Sequence, residues 1–204
     1  MLWTVQFLPR CTYHLFLSHS AEDRDSLAFP LFDALAKRGV RVWLDRHDYP
    51  YGRTSRAALR DAIVGCRHVV FLVTDAMLNS ARGWCIQELA WAELLQDNLV
   101  HEGAPHLVNC LLPLYFVAQD DARLPRSVWQ VGRDRGPFAA TGADPVGWAA
   151  EQVLAFLKRE EARAFEFRKF ARANKPFRDR LKSLKGLVER VTNFDPHRMP
   201  RANG

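Results

Sequence analysis

The four cysteines, Cys11, Cys66, Cys85 and Cys110, contain no CxxC pair and no clustered spacing. That spacing argues against a zinc centre or a disulfide framework, and reduced, buried thiols in a cytoplasmic protein without a metal site are expected. No apolar run approaches the roughly 18 residues that a membrane-spanning helix needs. The opening MLWTVQFLPR is apolar, but it lacks a basic start and a small-residue cleavage site, so no secretory leader is expected. Neither G-x-G-x-x-G behind the first apolar strand nor G-x-x-x-x-G-K-[ST] occurs, so hydride transfer from a dinucleotide and P-loop phosphoryl transfer lack support. Internal repeats and low-complexity tracts are also missing.

What is present is a chain of 204 residues, 48% of them hydrophobic, long enough for one domain with a core plus an appendage. Its net charge of +6 is unevenly placed. Residues 1–160 carry 17 Lys/Arg against 18 Asp/Glu, whereas residues 161–204 carry 12 against 5. The basic character therefore belongs to the last segment. It either contacts nucleic acid, an anionic surface or an acidic partner, or forms a solvated helical face.

Apolar runs and helix signals alternate along the chain. HLFLS (14–18), VRVWLD (40–45), RHVVFLVTD (67–75), HLVNCLLPLYF (106–116) and SVWQV (127–131) read as strands. AEDRDSLAFPLFDALAKRG (21–39) has acids first, bases last and a closing glycine, with Pro30 expected to kink it. Further helices are expected over 55–66, 81–97 and 145–165, the last continuing past Arg172 and breaking before Pro176. A second basic amphipathic helix is expected up to about Val191. Strands alternating with helices imply an α/β fold with a parallel sheet covered on both faces. Ligands in such sheets bind beyond the carboxyl ends of the strands, which puts the loops 18–22, 45–54 and 74–84 on one rim. The domain plan is a segment 1–11, a main domain 12–160 and a basic helical extension 161–204.

Within NSARGWCIQELAWAELL (79–95), Glu88 shares a helical side with Trp84, Ala92 and Leu95, with Trp91 just beyond. An unpaired carboxylate in an apolar sector is costly, and its pKa should rise. Glu88 therefore pairs with a base, lies on an exposed face, or faces a cavity that uses it. Trp84 either packs in the core or walls that cavity. Ser18, His19 and Ser20 end the first strand, where they meet a phosphate or ribose, or simply cap the next helix through Ser20. Asp45 ends the second strand and either binds a ribose hydroxyl or anchors the following loop. Strand one ends in Ser-His-Ser rather than an acidic pair, so Asp75 lacks the partners of a response-regulator phospho-acceptor.

FLSHSAEDRD (16–25), GVRVWLDRHDYPYGRTSRAALRDAI (39–63) and VVFLVTDAMLNSARGWCIQEL (69–89), in this order, resemble the Toll/interleukin-1 receptor (TIR) domain of bacterial and plant type. The resemblance covers roughly residues 12–160 and implies a flavodoxin-like three-layer sandwich with a central five-stranded parallel sheet. Many members cleave NAD⁺ between nicotinamide and ribose, with NAD⁺ as substrate rather than cofactor. Others are non-catalytic adaptors acting by TIR–TIR assembly. In catalytic members the glutamate of W-C-x-x-E is essential, which maps to Trp84, Cys85 and Glu88. The loop RHDYPYGRT matches the family's BB loop, so Tyr49, Pro50, Tyr51 and Gly52 are expected at a TIR–TIR interface. Two departures stand out. The step from Ser80 to Trp84 is slightly long, which weakens Ser80 as a ligand, and His106 lies near where some members carry a tryptophan.

A single carboxylate suffices for this chemistry. Glycosidases need a second to protonate an alkoxide leaving group. Nicotinamide leaves NAD⁺ neutral, so only the oxocarbenium-like ribose needs stabilising. Water then gives ADP-ribose, and an internal nucleophile gives a cyclic product. The resemblance thus implies an NAD⁺ glycohydrolase or ADP-ribosyl cyclase in antiviral or immune defence. It would act by depleting NAD⁺ or by making a cyclic signal for a separate effector or sensor protein. The resemblance does not reach 161–204; a further alternative makes that segment a docking arm for a nucleic-acid-sensing partner, with the enzyme off until recruited.

Overall fold

A computed structural model describes residues 13–45, 55–79, 84–101, 111–124, 136–140, 142 and 144–173. The segment 1–11, the loop 46–54 with Tyr49, Pro50, Tyr51 and Gly52, Ser80, His106, the expected fifth strand 127–131 and the basic stretch 174–204 lie outside the described residues. Four strands form one sheet: β1 (Tyr13–Ser18), β2 (Val42–Trp43), β3 (Cys66–Val73) and β4 (Leu111–Tyr115). All pairs are parallel, in the order β2-β1-β3-β4. Its helices are α1 (Phe29–Ala36), α2 (Ser55–Gly65), α3 (Asp75–Asn79), α4 (Trp84–His101) and α5 (Pro145–Ala173).

The period of two in the strands sorts the core into two layers. Leu15 and Leu17 on β1, with Val70 and Leu72 on β3, pack under Leu31 and Leu35 of α1 and Val153 and Phe156 of α5. Phe16, Val69, Phe71 and Val73 point the other way, onto Ile63 of α2 and Leu89 and Trp91 of α4. The sheet is thus covered on both faces by an apolar layer, as its near-continuous hydrophobic strands require. Among the described residues no helix is long and apolar enough to cross a membrane.

The expected helix over 21–39 is composite. A 3₁₀ turn (Ala21–Asp23) and a π turn (Arg24–Ala28) precede α1. Pro30 sits in the first turn of α1 rather than at a mid-helix kink. It has no N–H to give to the preceding turn, and the Phe29 N–H reaches back to Arg24 O in the wider π spacing. Gly39 closes the helix with φ 79°, while the Val40 N–H bonds Leu35 O at 3.1 Å. Strand β2 is shorter than the apolar run VRVWLD, because only Val42 and Trp43 pair with β1. Helix α3 was not expected; Thr74 Oγ1 nucleates it by accepting from Met77 N at 3.1 Å. Asp75 at its start pairs with Arg123, whose guanidinium also reaches Asn79 Oδ1 at 2.8 Å.

Beyond β4 the chain pairs again at one point. The Tyr115 N–H donates to Pro137 O at 3.1 Å, the Ala139 N–H to Tyr115 O at 2.8 Å, and the Tyr115 and Phe138 rings stack at 4.3 Å. Gly136 makes this approach feasible, since a Cβ there would overlap the carbonyl oxygen of Pro113. Gly136→Ala is therefore expected to destabilise the fold by about 1–3 kcal/mol in denaturant unfolding, because the clash is with backbone and not a mobile side chain.

Candidate active site

The carboxyl ends of β1 and β2 and the first turn of α4 enclose a cleft of about 440 Å³. Its floor is the stacked pair Phe16 and Trp43, with centroids 4.7 Å apart, which the β1–β2 register places side by side. Its polar lining includes His19, Ser20, Arg24, Asp45 and Glu88. Open α/β sheets bind ligands in such a place because the strand-to-helix loops converge there.

Glu88 is 6% exposed. Ser18, itself 2% exposed, donates its Oγ–H to Glu88 Oε2 at 2.6 Å. No base pairs with this carboxyl among the described residues. Burial pushes its pKa up to about 7; the Ser18 hydrogen bond works against the rise and the Asp45 charge adds to it. Of the three readings open in the sequence, the structure realises a carboxyl at a cavity. One turn earlier, Cys85 donates its S–H to His19 O at 3.1 Å. Burial, reinforced by Glu88, raises that thiol to about 12, so it fixes backbone and is no nucleophile.

The other expected residues converge here, in different roles. Ser18 reaches the site through Glu88. His19 lines the cleft with its side chain 4% exposed, its Nδ1 3.4 Å from Leu17 O and its Nε2 4.0 Å from Asp45 Oδ1. Burial lowers its pKa, with Asp45 opposing the shift. Ser20 both lines the cleft and caps the 3₁₀ turn, accepting from Glu22 N at 3.4 Å. Asp45 lines the cleft and holds Arg24 Nη2 at 3.4 Å. Trp84 is 45% exposed on the lip; Ile86, two residues on and so on another side of the helix, is 42% exposed and does not line the cleft.

Arg24, the Phe16–Trp43 floor and Leu59 were not singled out in the sequence. Arg24 had a legible signal, since it lies one helical turn past Ser20 and so on the same side. The floor had none, because its residues read as ordinary strand core.

A family model described as the TIR domain matches residues 15–130, more than half of the chain. The chain belongs to the TIR family. The NAD(+) hydrolase TcpC of Escherichia coli O6:H1 is 23% identical to this TIR chain over 103 residues, 50% of the chain and 31% of the relative. The 2' cyclic ADP-D-ribose synthase BtTIR of Bacteroides thetaiotaomicron is 25% identical over 81 residues, 40% of the chain and 28% of the relative. The matches thus span under a third of either relative. A metazoan TIR-STING receptor from C. gigas superposes with a TM-score of 0.49 at 18% identity, covering 70% of this TIR chain and 39% of the receptor.

Proposed function

We propose that this TIR chain cleaves NAD⁺ at the nicotinamide–ribose bond, releasing nicotinamide and leaving linear or cyclic ADP-ribose. The observation that carries the reading is Glu88, a buried carboxyl at a cleft whose hydrogen-bond partner is one hydroxyl. The names of the two curated relatives support it. Ser18 occupies Oε2 and fixes the carboxylate plane. The ionised group then offers negative charge to the ribose as the C1′–N bond breaks, in surroundings of low dielectric where that charge acts strongly. Ser20, Arg24 and Asp45 supply hydroxyl, guanidinium and carboxylate for the diphosphate and ribose hydroxyls. The Trp84 ring on the lip offers a stacking face for a planar base. The exposed Trp84 ring at this mouth supports assembly with a second copy over it. Consumption of NAD⁺ is the link we draw to defence signalling.

Incubation with NAD⁺ at concentrations that permit assembly, followed by separation of products, tests the reading. Nicotinamide and an ADP-ribose species are expected, whereas an adaptor leaves NAD⁺ intact.

The pH dependence has a definite sign. The active form is the carboxylate and the pKa lies near 7, so kcat/KM should rise as pH increases through about 7. Ser18→Ala removes a donor that favours the anion, so that midpoint should move upward by about one unit. The rate at pH 7 then falls several-fold, roughly tenfold at most, and recovers at higher pH. An unshifted profile would mean that the Ser18 hydroxyl does not tune Glu88.

A further inference from the structure

With Glu88 breaking the nicotinamide–ribose bond, the attacking nucleophile still needs a proton acceptor. The geometry points to His19 as the general base that takes the proton from the water that captures C1′. This inference rests on the proposed NAD⁺ cleavage and deepens it.

His19 Nδ1 lies 3.4 Å from the carbonyl oxygen of Leu17, an atom that only accepts. Facing that oxygen, Nδ1 carries the proton, and the neutral ring then has its lone pair on Nε2. Nε2 is buried and has no hydrogen-bond partner among the described residues. An acceptor held dry and unsatisfied is unfavourable unless something arrives to satisfy it. His19 lines the same cleft as Glu88. The two are tied together through the backbone, since Ser18, the residue before His19, bonds Glu88, and Cys85 S–H holds His19 O. Asp45 Oδ1, 4.0 Å from Nε2, is too far to hydrogen-bond it at rest but close enough to favour an imidazolium. The ring is thus neutral and ready to accept, with a carboxylate nearby to stabilise it once charged.

The step balances. The C1′–N electron pair leaves with nicotinamide, which departs neutral. The water oxygen bonds C1′ as one of its O–H bonds breaks, and that proton goes to His19 Nε2. The imidazolium then returns the proton to solvent. The sum is NAD⁺ and water giving ADP-ribose, nicotinamide and one proton.

The test separates capture by water from bond breaking. A neutral pyridine such as 3-acetylpyridine attacks C1′ through its ring nitrogen and has no proton to lose. Exchange of nicotinamide for this base therefore needs Glu88 and not His19. His19→Asn keeps a donor near Leu17 O and deletes the Nε2 position. His19→Gln keeps a polar atom near Nε2 that is not basic. Both variants should lose hydrolysis by about 10²-fold or more while exchange falls no more than about threefold. Retained exchange also shows that the variant site is folded. Equal loss of hydrolysis and exchange in both variants, or hydrolysis preserved by Gln, overturns the base assignment. A wild type that neither hydrolyses NAD⁺ nor exchanges its base overturns the reading beneath it instead.

Discussion

Glu88→Gln is expected to be inactive and more stable than the wild type at pH 8. The activity loss should reach about 10³-fold, because the amide keeps the shape and the Ser18 hydrogen bond but carries no charge to meet the ribose cation. The stability gain follows from burial. A carboxyl whose pKa is raised from 4.5 to about 7 by folding favours the folded state fully only below its unfolded pKa. That contribution fades as pH rises and is gone above about 7. The advantage of Glu88→Gln over the wild type should therefore grow between pH 5 and pH 8, by an amount on the order of 3 kcal/mol. Denaturant unfolding at the two pH values measures it. A structural buried ion pair would give the opposite sign, since deleting one partner strands the other charge.

Trp91→Ala should be the most damaging substitution in α4 for stability. Trp91 is 2% exposed in the layer with Phe16, Phe71 and Leu89, and truncation of such a ring costs about 3–5 kcal/mol. Trp84→Ala, on the same helix, should change unfolding by less than about 0.5 kcal/mol because the ring is half in solvent. If NAD⁺ stacks on Trp84, its loss should instead raise KM about three- to tenfold. Trp91→Phe should fall well short of the Ala loss. The Trp91 Nε1–H has no hydrogen-bond partner among the described residues, so phenylalanine removes an unsatisfied donor along with the volume. Thermal or denaturant unfolding of the three variants checks the order.

The two tryptophans also mark how far the sequence was legible. Their spacing of seven puts them on one helical stripe with Glu88 between, and that much follows from periodicity. Periodicity cannot tell where along its axis a helix leaves the core. Here the first turn of α4 overhangs the cleft and the third lies under the sheet, so one stripe is half site and half core. The apolar runs of β1 and β3 were equally readable as strands, because each face of a buried sheet demands apolar residues. The π turn before Pro30 was not, since a missing N–H permits a kink, a break or a wider turn alike. Ser18 was marked as a candidate ligand from its strand-end position. Its role on Glu88 needed the partner across the chain, 70 residues away. For Arg24 the side it faces was readable from its place one turn past Ser20, but its ion pair with Asp45 needed the placement of the chain after β2.

If one buried carboxylate breaks the nicotinamide–ribose bond, nicotinamide release must follow its charge. The pH profile of nicotinamide release from NAD⁺ by the concentrated chain, with Glu88→Gln beside it, reads that dependence. Release by the wild type should rise through about pH 7, and the variant should release none at any pH. Equal release by the two proteins, with or without that rise, would contradict it.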